Sequence, residues 1–73
     1  MKTNEVNIRG EYIRLDDLLK FEGAVETGGM AKFVIQGGEV RLNGEVCTMR
    51  GKKLRDGDLV DFNGEAFLIK GKV

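Results

Sequence analysis

The sequence has 73 residues with twelve basic and twelve acidic side chains, so its formal net charge is zero. This length predicts a single domain, residues 1–73, and leaves no room for a catalytic cleft between domains. The composition, 41% hydrophobic and 33% charged, is that of a soluble folded domain and excludes a disordered tail.

Residue types that usually perform catalysis or hold metals are scarce. The chain has no histidine, and its single cysteine, Cys47, therefore has no imidazole to activate it. Without a second thiol or clustered carboxylates, we expect no enzyme activity, no metal and no other cofactor. We expect Cys47 to be a small buried hydrophobe within a strand. A lone cysteine, no secretory segment and no membrane-spanning run indicate the cytoplasm and no membrane partner.

Basic residues are concentrated in the middle of the chain. Residues 32–55 contain six basic and two acidic side chains, whereas the segments on both sides are acidic. Because salt screens each charge beyond about 10 Å, a local positive face can bind phosphate on a chain of zero net charge. Composition alone leaves open whether this segment is such a face or an ordinary solvated surface.

The first elements in chain order are a strand pair and a helix. Residues 5–13 predict two short strands, separated by a turn at Arg9-Gly10, that extend or cover a sheet edge. Residues 15–22 predict a helix, because apolar residues follow the i, i+3, i+4 spacing of one stripe: Leu15, Leu18 and Leu19. Asp16 and Asp17 fall in its first turn, where the helix dipole favours negative charge.

A second helix is predicted after Thr27, whose hydroxyl can accept a backbone N–H of the first turn. Its apolar stripe consists of Ala31, Val34 and Ile35, and Gly37-Gly38 ends it. Gly28 and Gly29 lie at its start, but the Gly-Lys-Ser/Thr ending of a phosphate-binding loop is absent. A helix N-terminus with glycines can nevertheless let one phosphate approach closely.

Two Asn-Gly pairs predict two β-hairpins. Asn43-Gly44 joins a strand containing Val40 and Leu42 to a return strand, and Asn63-Gly64 joins residues 59–62 to residues 66–69. Between the hairpins, residues 48–55 are expected to form a basic loop.

These elements predict an α+β fold in which two short helices pack on a small antiparallel sheet of short hairpins. The domain is divided into an N-terminal strand pair over 5–13, a core motif over 14–62, and a C-terminal strand and tail over 63–73. We expect Lys32, Arg41 and the first hairpin turn to lie near one another on the solvent side of the core.

Three motifs carry a resemblance to a known family. They are Arg14-Leu15-Asp16 with Leu18-Leu19, the run from Thr27 to Asn43-Gly44, and Leu54 with Gly57-Asp58. In this combination residues 13–62 resemble the S-four-type RNA-binding domain, named after a protein of the small ribosomal subunit. The chain is similar to the small stand-alone bacterial members of the YaaA/YbcJ type. The resemblance implies an αL-type fold and a non-catalytic, cytoplasmic monomer that binds structured RNA, either ribosomal RNA or a ribosome assembly intermediate.

The resemblance also implies an RNA-binding face on the second helix, the following hairpin and the basic loop. The residues that it assigns to this face are Thr27, Lys32, Arg41, Asn43, Arg50, Lys52 and Lys53. Gly28 and Gly29 are added to the predicted site because the start of the second helix can hold a phosphate. One position departs from the family, whose members often carry arginine directly after the helix cap, where this chain has Gly28. The change either weakens RNA binding or lets the RNA backbone come closer.

A second hypothesis stays open at this point. The chain can instead be a protein-interaction adaptor that has kept the fold and lost RNA affinity, which the zero net charge and Gly28 favour. Phe33 lies off the helical stripe, so it is either exposed beside Lys32 or packed against the N-terminal strands. RNA binding through several phosphates predicts a steep salt dependence, which separates the two hypotheses.

Overall fold

The fold is given by a computed structural model that describes residues 2–71. Two residues of the predicted C-terminal tail, Lys72 and Val73, lie outside the described residues. Within 2–71 the elements are β1 (Lys2–Asn7), β2 (Ile13–Arg14), α1 (Leu15–Phe21), α2 (Gly28–Gln36), β3 (Val40–Leu42), β4 (Glu45–Val46), β5 (Lys53–Leu54), β6 (Leu59–Phe62) and β7 (Glu65–Lys70). The chain is therefore α+β, as predicted, with two short helices and two sheets.

The larger sheet has the strand order β1-β7-β6-β3-β4. The two predicted hairpins form its antiparallel part, and β6 pairs antiparallel with both β3 and β7. β1 pairs parallel with β7, with Val6 opposite Ile69. The sheet is therefore mixed, and the expectation of an entirely antiparallel sheet is wrong at this edge. A parallel pair needs a long crossover, and nearly the whole domain lies between β1 and β7.

The smaller sheet consists of β2 and β5, which run antiparallel with Ile13 opposite Leu54. Two expectations change here. The extended segments within 5–13 do not pair with each other, because β1 joins the larger sheet and β2 the smaller one. The segment 48–55 is not entirely loop, because Leu54 is completely buried in the core and belongs to β5.

The core lies between the helices and the inner face of the larger sheet. Its buried residues are Val6, Leu15, Leu18, Leu19, Val25, Ala31, Ile35, Val40, Leu54, Val60, Phe67 and Ile69. The α1 stripe is buried as predicted, and Val34 packs against the core while partly exposed. Val60 and Phe67 face each other across β6 and β7, so the second hairpin contributes its inward side chains to the same core.

Both ends of α2 follow from local chemistry. Thr27 Oγ1 accepts a hydrogen bond from the Met30 N–H at 3.1 Å, which confirms the predicted cap. At the other end Gly38 has φ +79°, and its N–H donates to the Ile35 carbonyl at 3.1 Å. A left-handed residue at this position closes many helices, and glycine adopts it without a Cβ clash.

The two Asn-Gly turns have nearly the same backbone. Asn43 and Asn63 have φ of 51° and 52°, and the following glycines are also left-handed. Two successive positive φ angles define the type I′ turn, whose twist matches that of a hairpin. Both hairpin predictions are confirmed.

Cys47 lies just after β4 rather than inside a strand. Its N–H donates to the Val40 carbonyl at 3.0 Å, and its half-buried side chain packs against the core. Among residues 2–71, no helix is long and apolar enough to cross a membrane, and no group of three or more His, Cys, Asp or Glu residues could hold a metal ion.

Candidate nucleic-acid interface

The smaller sheet has a cationic outer side. Residues alternate between the two faces of a strand, and Leu54 points into the core, so its neighbours Lys53 and Arg55 point outward. Arg14 lies directly opposite Lys53 in the register and shares its face. Lys53 Nζ lies 4.8 Å from the Tyr12 ring centroid, and Arg55 Cζ lies 5.8 Å from it. The Tyr12 ring thus attracts two of these cations.

Arg14 and Arg50 meet at one carboxylate. Arg14 Nη2 lies 3.4 Å and Arg50 Nε lies 3.3 Å from the same oxygen, Asp16 Oδ2. The other oxygen, Oδ1, accepts the Asp17 N–H at 2.9 Å. Asp16 is only 4% exposed, whereas the two arginine side chains are 49% and 42% exposed. The carboxylate is fully engaged, while both guanidinium groups reach solvent.

Backbone hydrogen bonds fix this arrangement. The N–H groups of Leu15 and Asp16, in the first turn of α1, donate to the carbonyls of Lys52 and Arg50 at 2.9 and 3.0 Å. The first N–H groups of a helix have no partner within it, so residues 50–52 satisfy them. A Cβ on Gly51 would lie 3.4 Å from Arg14 Nη2, so the Arg14 guanidinium group lies beside this glycine.

We call the surface that these cations share the basic face. Its members are Arg14, Arg50, Lys52, Lys53 and Arg55. Beside it, a groove of about 730 Å³ lies between the first hairpin and residues 47–55. Lys52, Lys53 and Arg55 line the groove together with the exposed apolar side chains of Val46 and Met49. Two acidic residues, Glu45 and Asp58, also line it, so the groove combines three cations, two carboxylates and apolar surface.

The side chain of Asn43, which also lines the groove, is bonded within the protein. Its Nδ2 donates to Asp58 Oδ1 at 3.1 Å, and its Oδ1 accepts the Leu59 N–H at 2.9 Å. Asp58 Oδ2 in turn accepts the Arg55 N–H at 2.8 Å. Asn43 therefore joins the hairpin turn to the segment that carries Arg55, and a contact of Asn43 with RNA stays a prediction.

The predicted residues on α2 form a second group. The Thr27 hydroxyl is used as the helix cap, and Lys32 is exposed further along the helix. A Cβ on Gly28 would lie 3.9 Å from Lys20 Nζ. Lys20, from the end of α1, thus brings an ammonium group close to the position where the family's arginine would begin.

Arg41 belongs to a different side of the molecule. It is exposed between the buried Val40 and the half-buried Leu42, so its side chain is on the sheet face opposite the helices. There it lies across from Asp61 of β6. Because the sheet separates Arg41 from Lys32, the expectation that these two side chains share one surface is wrong.

Similarity to known proteins agrees with this architecture. The model of the S4 domain family matches residues 6–70. The chain belongs to this family. A Bacillus subtilis relative, RlbA, whose name refers to ribosome maturation, is 39% identical over 61 residues, which are 84% of this chain and 86% of RlbA. YbcJ of Escherichia coli, whose name refers to RNA binding, is 40% identical over 58 residues, 80% of this chain and 83% of YbcJ.

Two solved structures resemble this S4 domain. The solution structure of Escherichia coli YbcJ, described as an αL motif involved in RNA binding, has a TM-score of 0.64 and 34% identity. The similarity covers 96% of this chain and 87% of that one. Trimeric heat shock protein 15 of Vibrio cholerae has a TM-score of 0.65 and 26% identity over 73% of this chain. This S4 domain spans about half of that chain, 52%.

Of the nine residues assigned from the sequence, the S4 domain gathers Arg50, Lys52 and Lys53 on one face. Arg14 and Arg55 complete that face and were missed. A signal for Arg55 was present, since Lys53-Leu54-Arg55 alternates as a half-buried strand does. No local signal indicates that Arg14 and Arg50 meet at Asp16, because α1, α2 and the first hairpin lie between the two arginines in the sequence.

Proposed function

We propose that this S4 domain binds structured RNA, either ribosomal RNA or a ribosome assembly intermediate, and catalyses no reaction. The observation that carries the proposal is the basic face, where Arg14 and Arg50 share one buried carboxylate, Asp16, and three further cations, Lys52, Lys53 and Arg55, lie on the adjoining strand segment. Such a local excess of positive charge attracts the phosphate backbone even though the whole chain is neutral.

The chemistry of the basic face suits RNA backbone. Arginine offers a planar fork of N–H donors that matches phosphate oxygens, and lysine supplies a point charge. Double-stranded RNA is recognised mainly by its shape and by phosphate and 2′-hydroxyl contacts. The proposal therefore includes weak dependence on base sequence.

The relatives support the same proposal. The name of RlbA refers to ribosome maturation, and YbcJ is described as carrying a motif involved in RNA binding. We extend both descriptions to this chain, and we propose that it acts in the cytoplasm of a bacterium as a monomer. Light scattering on the purified protein tests the last point, since heat shock protein 15 was solved as a trimer.

The decisive experiment is filter binding to labelled fragments of bacterial ribosomal RNA across a salt series. The logarithm of the affinity should fall linearly with the logarithm of the salt concentration, with a slope of roughly −3 to −5 if four to six phosphates are contacted. A DNA hairpin of equivalent sequence serves as the control, because it lacks the A-form groove and the 2′-hydroxyl groups. Absence of saturable, salt-sensitive binding refutes RNA binding.

Exposed apolar side chains on the helices favour the adaptor as the second candidate. Phe33 is 75% exposed, and Phe21 and Met30 are exposed as well. Co-sedimentation with ribosomal particles before and after RNase treatment separates the two functions. Association through RNA is lost on RNase treatment, whereas an adaptor remains bound to protein and is released by Phe33→Ser.

A further inference from the structure

We infer that Asp16 is a positioning residue for a phosphate clamp made of two arginines. In this clamp the guanidinium groups of Arg14 and Arg50 donate together to one backbone phosphate of the bound RNA. The inference rests on the proposed function, because the phosphate belongs to that RNA.

The donors that the clamp needs are present. Arg14 uses Nη2 and Arg50 uses Nε to reach Asp16 Oδ2. A guanidinium group carries five N–H donors, so most donors of each arginine stay available. Because both groups contact the same oxygen atom, they are close enough for one phosphate to bridge them.

The charges of the cluster favour an added anion. One carboxylate balances only one of the two guanidinium groups, and Lys53 lies directly across from Arg14. A phosphate between the arginines offsets their mutual repulsion, and its oxygens match the arginine forks.

The cluster is also held in place before RNA arrives. Asp16 is buried in the first turn of α1, and its Oδ1 is occupied by the Asp17 N–H. The Arg50 carbonyl accepts the Asp16 N–H, and Arg14 lies over Gly51. Side chains that are ordered in the free protein lose less entropy on binding, which increases affinity.

The clamp and a purely structural role for Asp16 predict opposite effects of Asp16→Asn on RNA affinity. Asp16→Asn removes a negative charge, so general electrostatics predicts tighter RNA binding by the folded variant. The clamp predicts weaker binding, because the arginines lose the group that orients them. Asp17→Asn is the matched control, since it makes the same charge change at the next residue, which is exposed. Among the cations of residues 2–71, Asp17 contacts only Lys20, at 3.8 Å.

The test is fluorescence anisotropy with a labelled RNA hairpin, with circular dichroism to verify folding. We expect Asp16→Asn to weaken binding by roughly fivefold to tenfold, about 1–1.4 kcal/mol, while Asp17→Asn binds equally well or better. Arg14→Ala, Arg50→Ala and the double variant should show similar losses of RNA affinity. The effects of two substitutions are not additive when the two residues act as one unit. The double variant should lower the salt slope by about one rather than two.

The outcomes separate the clamp from the proposed function. If the wild type binds with the expected salt dependence and Asp16→Asn binds as tightly as Asp17→Asn, the clamp is overturned and RNA binding stands. If the wild type shows no salt-sensitive binding, both are overturned. If Asp16→Asn does not fold, Arg14→Lys and Arg50→Lys decide, since they keep the charge without the fork. Binding several-fold weaker than wild type supports the clamp, and unchanged binding overturns it.

Discussion

The side chains of Asn43 and Asp58 are joined by a hydrogen bond of 3.1 Å across fifteen residues of sequence. The side-chain oxygen Oδ1 of Asn43 also accepts the N–H of Leu59, so the side-chain amide bridges the first hairpin turn and the start of β6. Two motifs that carry the family resemblance, Asn43-Gly44 and Gly57-Asp58, are therefore one structural unit. This unit also fixes the Arg55 backbone through Asp58.

Asn43→Ala should lower the free energy of unfolding by about 0.5–1.5 kcal/mol, because it removes the exposed hydrogen bonds that the side chain makes with Asp58 and with the Leu59 N–H. Urea denaturation measures the change, and the midpoint should shift without a change in slope. Asn63→Ala is the matched control, since Asn63 has the same φ in the other turn and no hydrogen bond of its side chain within residues 2–71. Equal losses in both variants would show that turn preference, not the bridge, stabilises the fold.

Leu18→Ala should lower the free energy of unfolding by about 2–5 kcal/mol, because the Leu18 side chain on α1 is completely buried in the core. Thermal and urea denaturation both report this loss. Leu68→Ala removes the same atoms from a half-buried position in β7, and we expect a distinctly smaller effect. A loss at Leu18 no larger than that at Leu68 would contradict the packing of α1.

Reversing two charges on the basic face should weaken RNA binding while sparing stability. Lys52→Glu combined with Lys53→Glu is expected to lower affinity for a labelled RNA hairpin by about tenfold or more at low salt. Both side chains are exposed, so the thermal midpoint should change little, apart from the lost contact of Lys53 with the Tyr12 ring.

The control for this double variant reverses Lys2 and Lys70, which are exposed on β1 and β7. It changes the net charge by the same amount outside the basic face. If both double variants lose affinity equally, net charge rather than the basic face governs binding. A large fall in the thermal midpoint of the first variant would instead make these lysines structural.

Gly28→Arg tests the position at which this chain departs from its family. A Cβ at Gly28 has ordinary contact distance to its nearest neighbour, Lys20 Nζ, so we expect the variant to fold. A cation at a helix N-terminus costs about 0.3–1 kcal/mol of stability. If side chains at the start of α2 contact RNA phosphates, the new arginine should raise the affinity for RNA several-fold. The salt slope should then steepen by about one.

Thr3→Arg adds the same charge on the exposed side of β1 and controls for net charge. A fall in affinity for Gly28→Arg, with Thr3→Arg unchanged, would favour close approach of RNA backbone to the glycines instead. Identical behaviour of the two variants would place the start of α2 outside the interface.

Much of the fold was predictable because it depends on neighbouring residues. The α1 stripe, the Thr27 cap, the glycine at the end of α2 and both Asn-Gly turns each rely on contacts a few residues apart. The pairing of β1 and the presence of β5 were predicted wrongly, because the partner strands are distant in sequence. β1 pairs with the last strand, and the two residues of β5 are too few to show a period.

The candidate site was predictable only in part. The excess of basic residues in 32–55 pointed to Arg50, Lys52 and Lys53, whose role in RNA binding stays a prediction, and it also suggested that Arg41 joins Lys32. Strand alternation sends Arg41 to the other side of the sheet, and the pairing of β2 with β5 brings in Arg14 instead.

Periodicity, caps and turn residues specify where helices and hairpins begin and end, since backbone preferences and i to i+4 contacts act locally. Composition also shows that the chain contains no histidine. The placing of Asp16 between Arg14 and Arg50 is different in kind. The contact between Asp16 and Arg50 joins residues that are 34 positions apart. It depends on the packing of α1 on the core and on the pairing of β2 with β5, which no local pattern encodes.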